Sequence, residues 1–576
     1  MNHLKYADIL RSNKELEDNI NKSYNISLLS NVIVHQAKDI LEYQLRHDGV
    51  NASVSLGVFD NIVQESQKQQ KMDATIIFWE ITNLVEGLQY KLELLTEKEI
   101  DAIELKMKSE VKLVIKNLEN CPLLIINRFT SFFFSAFSNE NNKLDNLSIR
   151  LNKLLESFSQ SNLKLINLDK IIANIGVSNS FNPKFYYSSK APYTVGFFRI
   201  YSQYIKPIIM SANGRAKKAI IFDCDNTLWG GVLGEEGIDG IDISSGAIKG
   251  EVYREIQSIA LSLSQKGVIL GLCSKNNSED VDEVFNNNPN MILREKDIAI
   301  KKVNWLDKVT NIKSISKELN IGLDSIVFVD DSLFEVNLVK EYLPDVIVLH
   351  VPLRLYEYPQ MLRNNLDLFY DLSHTEEDTK KTEMYRIQSQ REKIKSNFST
   401  LDEYLASLKI SIIIYKNDES LVPRKSQITQ KTNQFNLAVK RYTENQIRSM
   451  VLSSDYDIYS FLVKDKLGDS GITGLCIVNK ENSSAIIDSF LMSCRVIGRN
   501  IEYVFMDYLV NLLANEGFKN IKSLYKNTKK NKLVENFYDN CSFDLVNSDG
   551  PLKNYSLTLS KYKQSEIKYI GVEEGE

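Results

Sequence analysis

The chain has 576 residues, of which 43% are hydrophobic and 25% charged, and its formal net charge is -5. That length suggests about three domains, and the composition is that of a globular protein rather than a fibre or a disordered chain. The acidic balance argues against a dedicated nucleic-acid binder, whose phosphate contacts need a concentrated positive footprint.

In chain order, residues 1–215 alternate helical patterns with short apolar runs such as Ala74–Trp79 and Leu123–Ile126, the signature of an α/β layer. Their start, MNHLKYADILRSNKELEDN, lacks the apolar core of a signal peptide. Residues 216–352 hold three strand candidates, AIIFDCD, VILGLCS and SIVFVDD, each an apolar run ending in polar residues. Continuous runs of this kind suit parallel strands buried on both faces. Between them, Val252, Ile256, Ile259 and Leu263 recur at helical spacing before Gly267, and Val309, Ile312, Ile315 and Leu319 repeat the pattern. Residues 353–408 are charge-rich and read as a helical connector. Residues 409–563 return to strands (ISIIIY, AIIDSFLM) and helices, and 564–576 read as a tail. No run reaches the roughly 18–20 apolar residues that span a bilayer. Six scattered cysteines form no C-x-x-C pair, so reduced thiols in a cytoplasmic protein are expected, with no membrane and no nucleic-acid partner.

The stretch KKAIIFDCDNTLWGG carries the most chemistry. An apolar strand delivers Asp223 and Asp225 to its carboxyl end, where open α/β sheets place their sites. Asp223 can attack phosphorus or ligate a metal, and Asp225 can protonate the leaving oxygen. Thr227 and Gly230–Gly231 suit the tight turn that follows. A surface D-x-D capping a turn is the plain alternative. Against it stand later strand and helix ends: Ser274 and Lys275, a hydroxyl and a cation for phosphate oxygens; Lys308, placed to offset transition-state charge; and Asp330 with Asp331, further acidic metal ligands. Thr227, Ser274, Lys275 and Lys308 form the candidate phosphate set. Neither interval, Asp225 to the helix near Gly250 or Ser274 to Lys308, has room for a full cap domain, so an open site is expected.

The segments DCDNTLWGGVLGEEG, LCSKNN, NWLDK and NIGLDSIVFVDD resemble the FkbH-like (HAD-IIIC) branch of the haloacid dehalogenase (HAD) superfamily. The resemblance implies Asp223 as nucleophile and Mg²⁺ ligand, and Asp225 as acid/base and backbone ligand. It implies Ser274 as phosphoryl binder, Lys308 as charge stabiliser, and Asp330 with Asp331 completing the metal site. Where the family continues Asn-Pro after the paired aspartates, this chain has Ser332–Leu333, while Glu335 still matches.

In the C-terminal half, FLMSCRVIGRNIEYVF brings Arg495, Gly498 and Arg499 to a helix start, an anion site by virtue of free amides and cations. It resembles the pyrophosphate loop of GNAT acetyltransferases, with Asn500 in place of the third small residue. NFYDNCSF then resembles the segment carrying that fold's tyrosine acid, here Tyr538. ITQKTNQFNLAVKRYTENQI and KDKLGDSGITG resemble the FkbH-like C-terminal half. Gln430 to Asn436 can line a pantetheine channel or form a hydrogen-bonded turn. The N-terminal region resembles the SGNH-like domain that precedes the HAD unit in longer members. Within residues 1–215 it has no Gly-Asp-Ser block and no Asp-x-x-His pair, so a scaffold or docking role is expected.

The expected fold is thus multidomain α/β: an SGNH-like α/β domain, a central Rossmann-like parallel-sheet HAD domain without a large cap, and a GNAT-like α+β domain. The function that the resemblance implies is loading a glyceryl unit from 1,3-bisphosphoglycerate onto an acyl carrier protein, with dephosphorylation. The acyl group would pass through an enzyme thiol to a phosphopantetheine thiol or CoA. Cys273, beside Ser274 and Lys275, and Cys494, next to Arg495, are the candidate thiols, since cationic neighbours lower a thiol pKa. The alternatives are a phosphatase for a small sugar or amino-acid phosphate fused to an acyltransferase, in surface-glycan or secondary-metabolite biosynthesis such as polyketide assembly, and a non-catalytic assembly scaffold.

Overall fold

The structure, a computed structural model, describes all residues except 1–3, 18–22, 70, 135–138, 374, 396, 482, 529 and 576. It divides into two compact units: Met1–Asn213 with Arg441–Gln446, and Gly214–Lys440 with Ile447–Glu576. The short segment 441–446, placed by sequence in the C-terminal domain, belongs to the first unit, where Asn445 Nδ2 donates to the Glu119 carbonyl at 3.3 Å.

The first unit is built on five parallel strands, β1 (Tyr24–Ser30), β2 (Ala52–Leu56), β3 (Ala74–Phe78), β4 (Leu124–Asn127) and β5 (Leu163–Ile166), in the order β2-β1-β3-β4-β5. Polar residues just beyond the strand ends bond to one another. Asn31 Nδ2 donates to the Glu80 carbonyl (2.9 Å) while Glu80 N–H donates to Asn31 Oδ1 (2.7 Å). Asn127 and Trp79 make the same reciprocal pair, at 2.9 and 2.7 Å. Glu80 also accepts from the Tyr193 hydroxyl, and burial pushes its carboxyl up. These groups are spent on each other at the ends of the parallel strands.

The second unit opens with another parallel sheet: β6 (Ala219–Phe222), β7 (Ile269–Ser274), β8 (Ile300–Val303), β9 (Ile326–Asp330) and β10 (Ile347–His350), ordered β10-β9-β6-β7-β8. From β6 the chain winds outward through β7 and β8, then returns to the other side at β9. The switch point therefore lies between β6 and β9, the crevice where open sheets hold ligands.

Both faces are covered, which is why these strands read as unbroken apolar runs. Ile220, Phe222, Leu270, Leu272, Val327 and Val329 pack beneath α1 (Ile248–Gln265). The alternate residues Ile221, Ile269, Cys273, Ile326 and Phe328 pack beneath α2 (Lys308–Leu319) and α3 (Leu333–Tyr342). No cap domain interrupts residues 226–307, as the spacing predicts.

The connector is helical, with α4 (Tyr358–Arg363) and α5 (Lys381–Lys395), but it is firmly fastened. Asp378, just before α5, is fully buried and accepts from Thr375 N–H (2.8 Å) and Gln427 Nε2 (2.8 Å). It also pairs with Lys381 (2.5 Å) and Lys431 (3.3 Å). Burial works against its ionisation, yet the two ammonium groups hold Asp378 well below the usual carboxylate range. Gln427 and Lys431 lie on α6 (Val422–Lys431), and a Cβ on Gly267, which follows α1, would sit 3.0 Å from Asp378 Cβ. One carboxylate thus ties the central domain to the C-terminal one.

The C-terminal domain is α+β around one mixed sheet of β11 (Ser411–Lys416), β12 (Phe435–Asn436), β13 (Tyr456–Asp465), β14 (Gly468–Glu481), β15 (Ser484–Met492), β16 (Asn520–Lys526), β17 (Asp544–Asp549), β18 (Leu552–Thr558) and β19 (Gly571–Glu574). β13, β14 and β15 form an antiparallel meander. β15 is followed by α7 (Ile501–Asn515) and a parallel partner, β16. The expected tail is part of the sheet: β19 pairs in parallel with β11. Among the described residues no helix is long and apolar enough to cross a membrane.

Candidate active site

The face alternation of the central sheet decides which side chains meet. Residues 219 and 221 on β6, with 223 just after it, and 326, 328 and 330 on β9 point to the side covered by α2. Asp223 and Asp330 therefore extend that face just past the core, under the first residue of α2. That residue is Lys308, 3% exposed, with Nζ 2.8 Å from Asp223 Oδ1 and 2.6 Å from Asp330 Oδ2. A cation at a helix N-terminus opposes the macrodipole, so the placement needs compensation. Asp307 supplies part of it as N-cap, accepting from Thr310 N–H (2.8 Å), and the two carboxylates supply the rest. Burial alone would lower the Lys308 pKa; Asp223 and Asp330 outweigh it and hold the ammonium above the ordinary lysine value.

Asp331 joins this group: oxygens of Asp223, Asp330 and Asp331 lie within 4.8 Å of one another. Burial raises the carboxyls of Asp330 and Asp331, and the Asp223 charge adds to it. Three carboxylates facing one ammonium leave excess negative charge in a half-dry crevice, and hard oxygen donors in that number suit Mg²⁺. The residues fit the ion.

Asp225, for which the resemblance implies a backbone ligand and an acid/base carboxylate, turns its side chain to other partners. Its carboxylate is not among the clustered three. Oδ1 accepts from Trp229 Nε1 (2.9 Å) and Leu233 N–H (3.2 Å), and Oδ2 from Asn276 Nδ2 (3.0 Å). Burial pushes its carboxyl up despite these donors, which leaves a group able to carry a proton. Ser274, 2% exposed at the end of β7, accepts from Asn276 Nδ2 at 3.2 Å. Thr227 is fully buried in the turn, and its Oγ1 has no protein partner among the described residues. Lys275 is committed elsewhere: Nζ donates to Glu335 Oε1 at 2.6 Å. Asn276 and Trp229, which orient the acid and the serine, were not singled out from sequence; both lie inside the quoted motifs, but only the fold shows whom they serve.

The cysteine expectation is corrected in one case. Cys273 alternates with Ser274, so its sulfur points into the core beneath α2, fully buried, and burial pushes its thiol up to about 12. A thiol so placed is not a nucleophile. Cys273→Ala should keep phosphate release within about threefold of wild type, because a packing thiol takes no part in the chemistry; alkylation of the native protein, read by mass spectrometry, should spare Cys273. Cys494 is half-buried, its sulfur 3.8 Å from the Tyr385 hydroxyl, and its carbonyl accepts from Asn320 Nδ2 at 2.6 Å. Asn320 caps the far end of α2 from Lys308, and twelve helical residues span roughly 18 Å. Cys494 is remote from the aspartates.

The predicted anion loop of the C-terminal domain is also different. Arg495 and Arg499 are each 5% exposed and face inward. Arg499 pairs with Asp465 (3.2 Å) and donates to Gln388 Oε1 (2.8 Å); Arg495 lies 3.6 Å from Glu377. Arg391 completes the arrangement with a two-pronged bond to Asp465 at 2.8 and 2.9 Å. Two of the protein's own carboxylates, Asp465 and Glu377, thus partner all three cations. Gly498 keeps its left-handed backbone (φ +83°) at the start of α7. Just inside that helix Glu502 is buried, its carboxyl pushed up to about 7 by burial. Tyr538 is 1% exposed within an aromatic cluster with Phe537, Phe543 and Tyr555. Of the stretch 430–436, the last two residues belong to the sheet as β12. β15 pairs with β16 only over Ser484–Ile487, and beyond that β12 fills the gap: Phe435 pairs with Met492, and Lys526 N–H donates to the Leu437 carbonyl at 2.8 Å.

No family model matches the chain, and no curated protein does. Small matches among solved structures include the ribosomal-protein-S18-alanine N-acetyltransferase of Escherichia coli (12% identity, 27% of this chain and 99% of that one, TM-score 0.21) and a GNAT-family acetyltransferase of Desulfovibrio desulfuricans (11%, 26% and 99%, 0.21). A larger one is the N-terminal part of BF1531 from Bacteroides fragilis, which contains a phosphatase domain and is complexed with Mg (27% identity, TM-score 0.56). This chain is therefore similar, in sequence and in fold, to that Mg-bound protein over 64% of its own length and 100% of the other's.

Proposed function

We propose that this protein is a Mg²⁺-dependent phosphatase of the HAD type, acting through Asp223. The observation that carries the reading is the meeting of Asp223, Asp330 and Asp331 within 4.8 Å under the Lys308 ammonium. The likeness to a phosphatase-domain protein complexed with Mg supports it. Asp223, Asp330 and Asp331 would hold the ion, which when bound neutralises phosphoryl oxygens as a Lewis acid. Asp223 attacks phosphorus, and the bond to the leaving oxygen breaks as Asp225 gives it a proton. Asp225, now charged, takes a proton from the water that hydrolyses the aspartyl phosphate. Ser274 donates to a phosphoryl oxygen, and Lys308 offsets the charge that develops.

The finer reading is that the substrate is the glyceryl unit of 1,3-bisphosphoglycerate and the acceptor an acyl carrier protein. Two features favour a substrate borne on a macromolecule. The site has no cap, and large apolar side chains stand exposed on the loops and helix ends beyond the strands' carboxyl ends: Ile248, Trp305, Phe334, Leu353 and Tyr356. Of the two candidate thiols, Cys494 is the less buried one. The buried arginines and Tyr538 give the acyl-transfer half no open CoA loop.

The test is phosphate release from a generic phosphomonoester with Mg²⁺ and with excess EDTA. Release that vanishes in EDTA is expected; a chain that releases no phosphate with Mg²⁺ defeats the reading. Intact-mass analysis of an acyl carrier protein incubated with enzyme, Mg²⁺ and 1,3-bisphosphoglycerate then decides between glyceryl loading and a plain small-molecule phosphatase.

A further inference from the structure

One side chain bridges two of the groups that the phosphatase reading uses. Asn276 lies two residues past Ser274, the end of β7, and is 5% exposed. Its Nδ2 donates to Asp225 Oδ2 at 3.0 Å and to Ser274 Oγ at 3.2 Å. A side-chain amide nitrogen carries two hydrogens, so each has one acceptor here. The way round that the amide lies is fixed as well. A carboxylate only accepts, and the amide oxygen turned toward Asp225 would meet negative charge.

The other oxygen of Asp225 is already held. Oδ1 accepts from Trp229 Nε1 (2.9 Å) and Leu233 N–H (3.2 Å), both of which can only donate. Trp229 is fully buried and packs edge-to-face on Phe285, and the carbonyl of its neighbour Leu228 accepts from Gln257 Nε2 at 2.9 Å. Oδ1 is thus fastened to a rigid turn, while Oδ2 takes only the Asn276 amide among the described residues. The remaining side of Oδ2 is where a proton can be handed over. Ser274 Oγ accepts from the same amide and keeps its own O–H to donate.

We propose that Asn276 is a positioning residue for departure of the leaving group: its amide fixes Asp225 Oδ2 relative to the Ser274 hydroxyl, so that the acid faces the bridging oxygen of the phosphoryl group that Ser274 holds. This rests on the phosphatase reading above and deepens it. As Asp223 forms its bond to phosphorus, the bond from phosphorus to the bridging oxygen breaks. The electron pair stays on that oxygen, and the proton on Oδ2 moves to it. A positioned acid contributes about 10²–10⁴-fold, and a misplacement of roughly 1 Å can cost about 10²-fold. The gain is large only where the leaving oxygen needs a proton, as an alkoxide does and a nitrophenolate does not.

Phosphate release from ethyl phosphate and from p-nitrophenyl phosphate, by wild type, Asn276→Ala and Asn276→Leu with Mg²⁺, tests this, together with the Tm of each protein. The readout is kcat/KM, which covers the steps through loss of the leaving group; hydrolysis of the aspartyl phosphate, common to both esters, does not enter. In the variants it should fall about 10²-fold for ethyl phosphate, and by about tenfold or more beyond any fall for the nitrophenyl ester, with Tm near wild type. The smaller fall on the nitrophenyl ester measures the Ser274 half of the bridge. An equal fall on both esters, or none, overturns the proposal while leaving the phosphatase reading intact. Failure of both variants to fold overturns it too, because the amide would then be holding the loop rather than the acid. So does a wild type that cleaves the nitrophenyl ester alone, since there would be no working acid to position. A wild type that releases phosphate from neither ester overturns the phosphatase reading itself and this inference with it.

Discussion

Asp223→Asn should reduce phosphate release by about 10⁴-fold or more, the usual consequence of removing a covalent nucleophile, and leave the fold in place. The amide is nearly isosteric but cannot attack phosphorus, and it binds a cation more weakly than a carboxylate. Lys308 keeps its 2.6 Å contact with Asp330, so no buried ammonium is stranded. Crowding among Asp223, Asp330 and Asp331 is relieved, since like charges in one crevice oppose each other's ionisation. Circular dichroism and Tm should stay near wild type while a phosphate-release assay falls to background. Release at a wild-type rate would show that another residue attacks phosphorus.

Asp378→Asn should have the largest effect on stability while leaving the aspartate site chemically intact. Asp378 is the common partner of Lys381, Lys431, Gln427 and the Thr375 N–H. Removing one partner from a buried charge network costs about 3–5 kcal/mol, because the remaining charges stay buried without compensation. Lys431 retains Asp371 at 2.5 Å, which places the expected loss at the lower end, about 3 kcal/mol. Urea unfolding at neutral pH measures it. The pH dependence has a definite sign. The folded-state pKa lies below the unfolded value of about 3.9, so the stabilisation is fully present above that value and fades as pH falls toward the folded pKa. The gap between wild type and variant should hold from about pH 7 to 5 and narrow below about pH 4. An equal gap at all pH values would mean that packing around Asp378, not its charge, does the holding.

The aspartates and Lys308 were legible in the sequence for a physical reason. In a parallel sheet buried on both faces, polar residues can appear only where a strand leaves the core, so AIIFDCD, VILGLCS and SIVFVDD announce both the strands and their active ends. The helical period between them implies crossover helices, and the lengths of those intervals leave no room for a cap. The central domain follows from local pattern alone.

What the sequence could not decide is where side chains point and what they meet far along the chain. Cys273 and Ser274 are neighbours, but alternation on β7 buries one sulfur beneath α2 and leaves the hydroxyl at the site. Arg495 and Arg499 at a helix start read as an anion loop until Glu377 and Asp465 reach them, from 118 and 34 positions away. The charge-rich connector gave no periodic sign that Asp378 would be buried. Spacing along a chain sets which side chains can be neighbours in one strand or helix; only the packing of distant elements settles which charges are neutralised inside the protein and which are left facing a ligand.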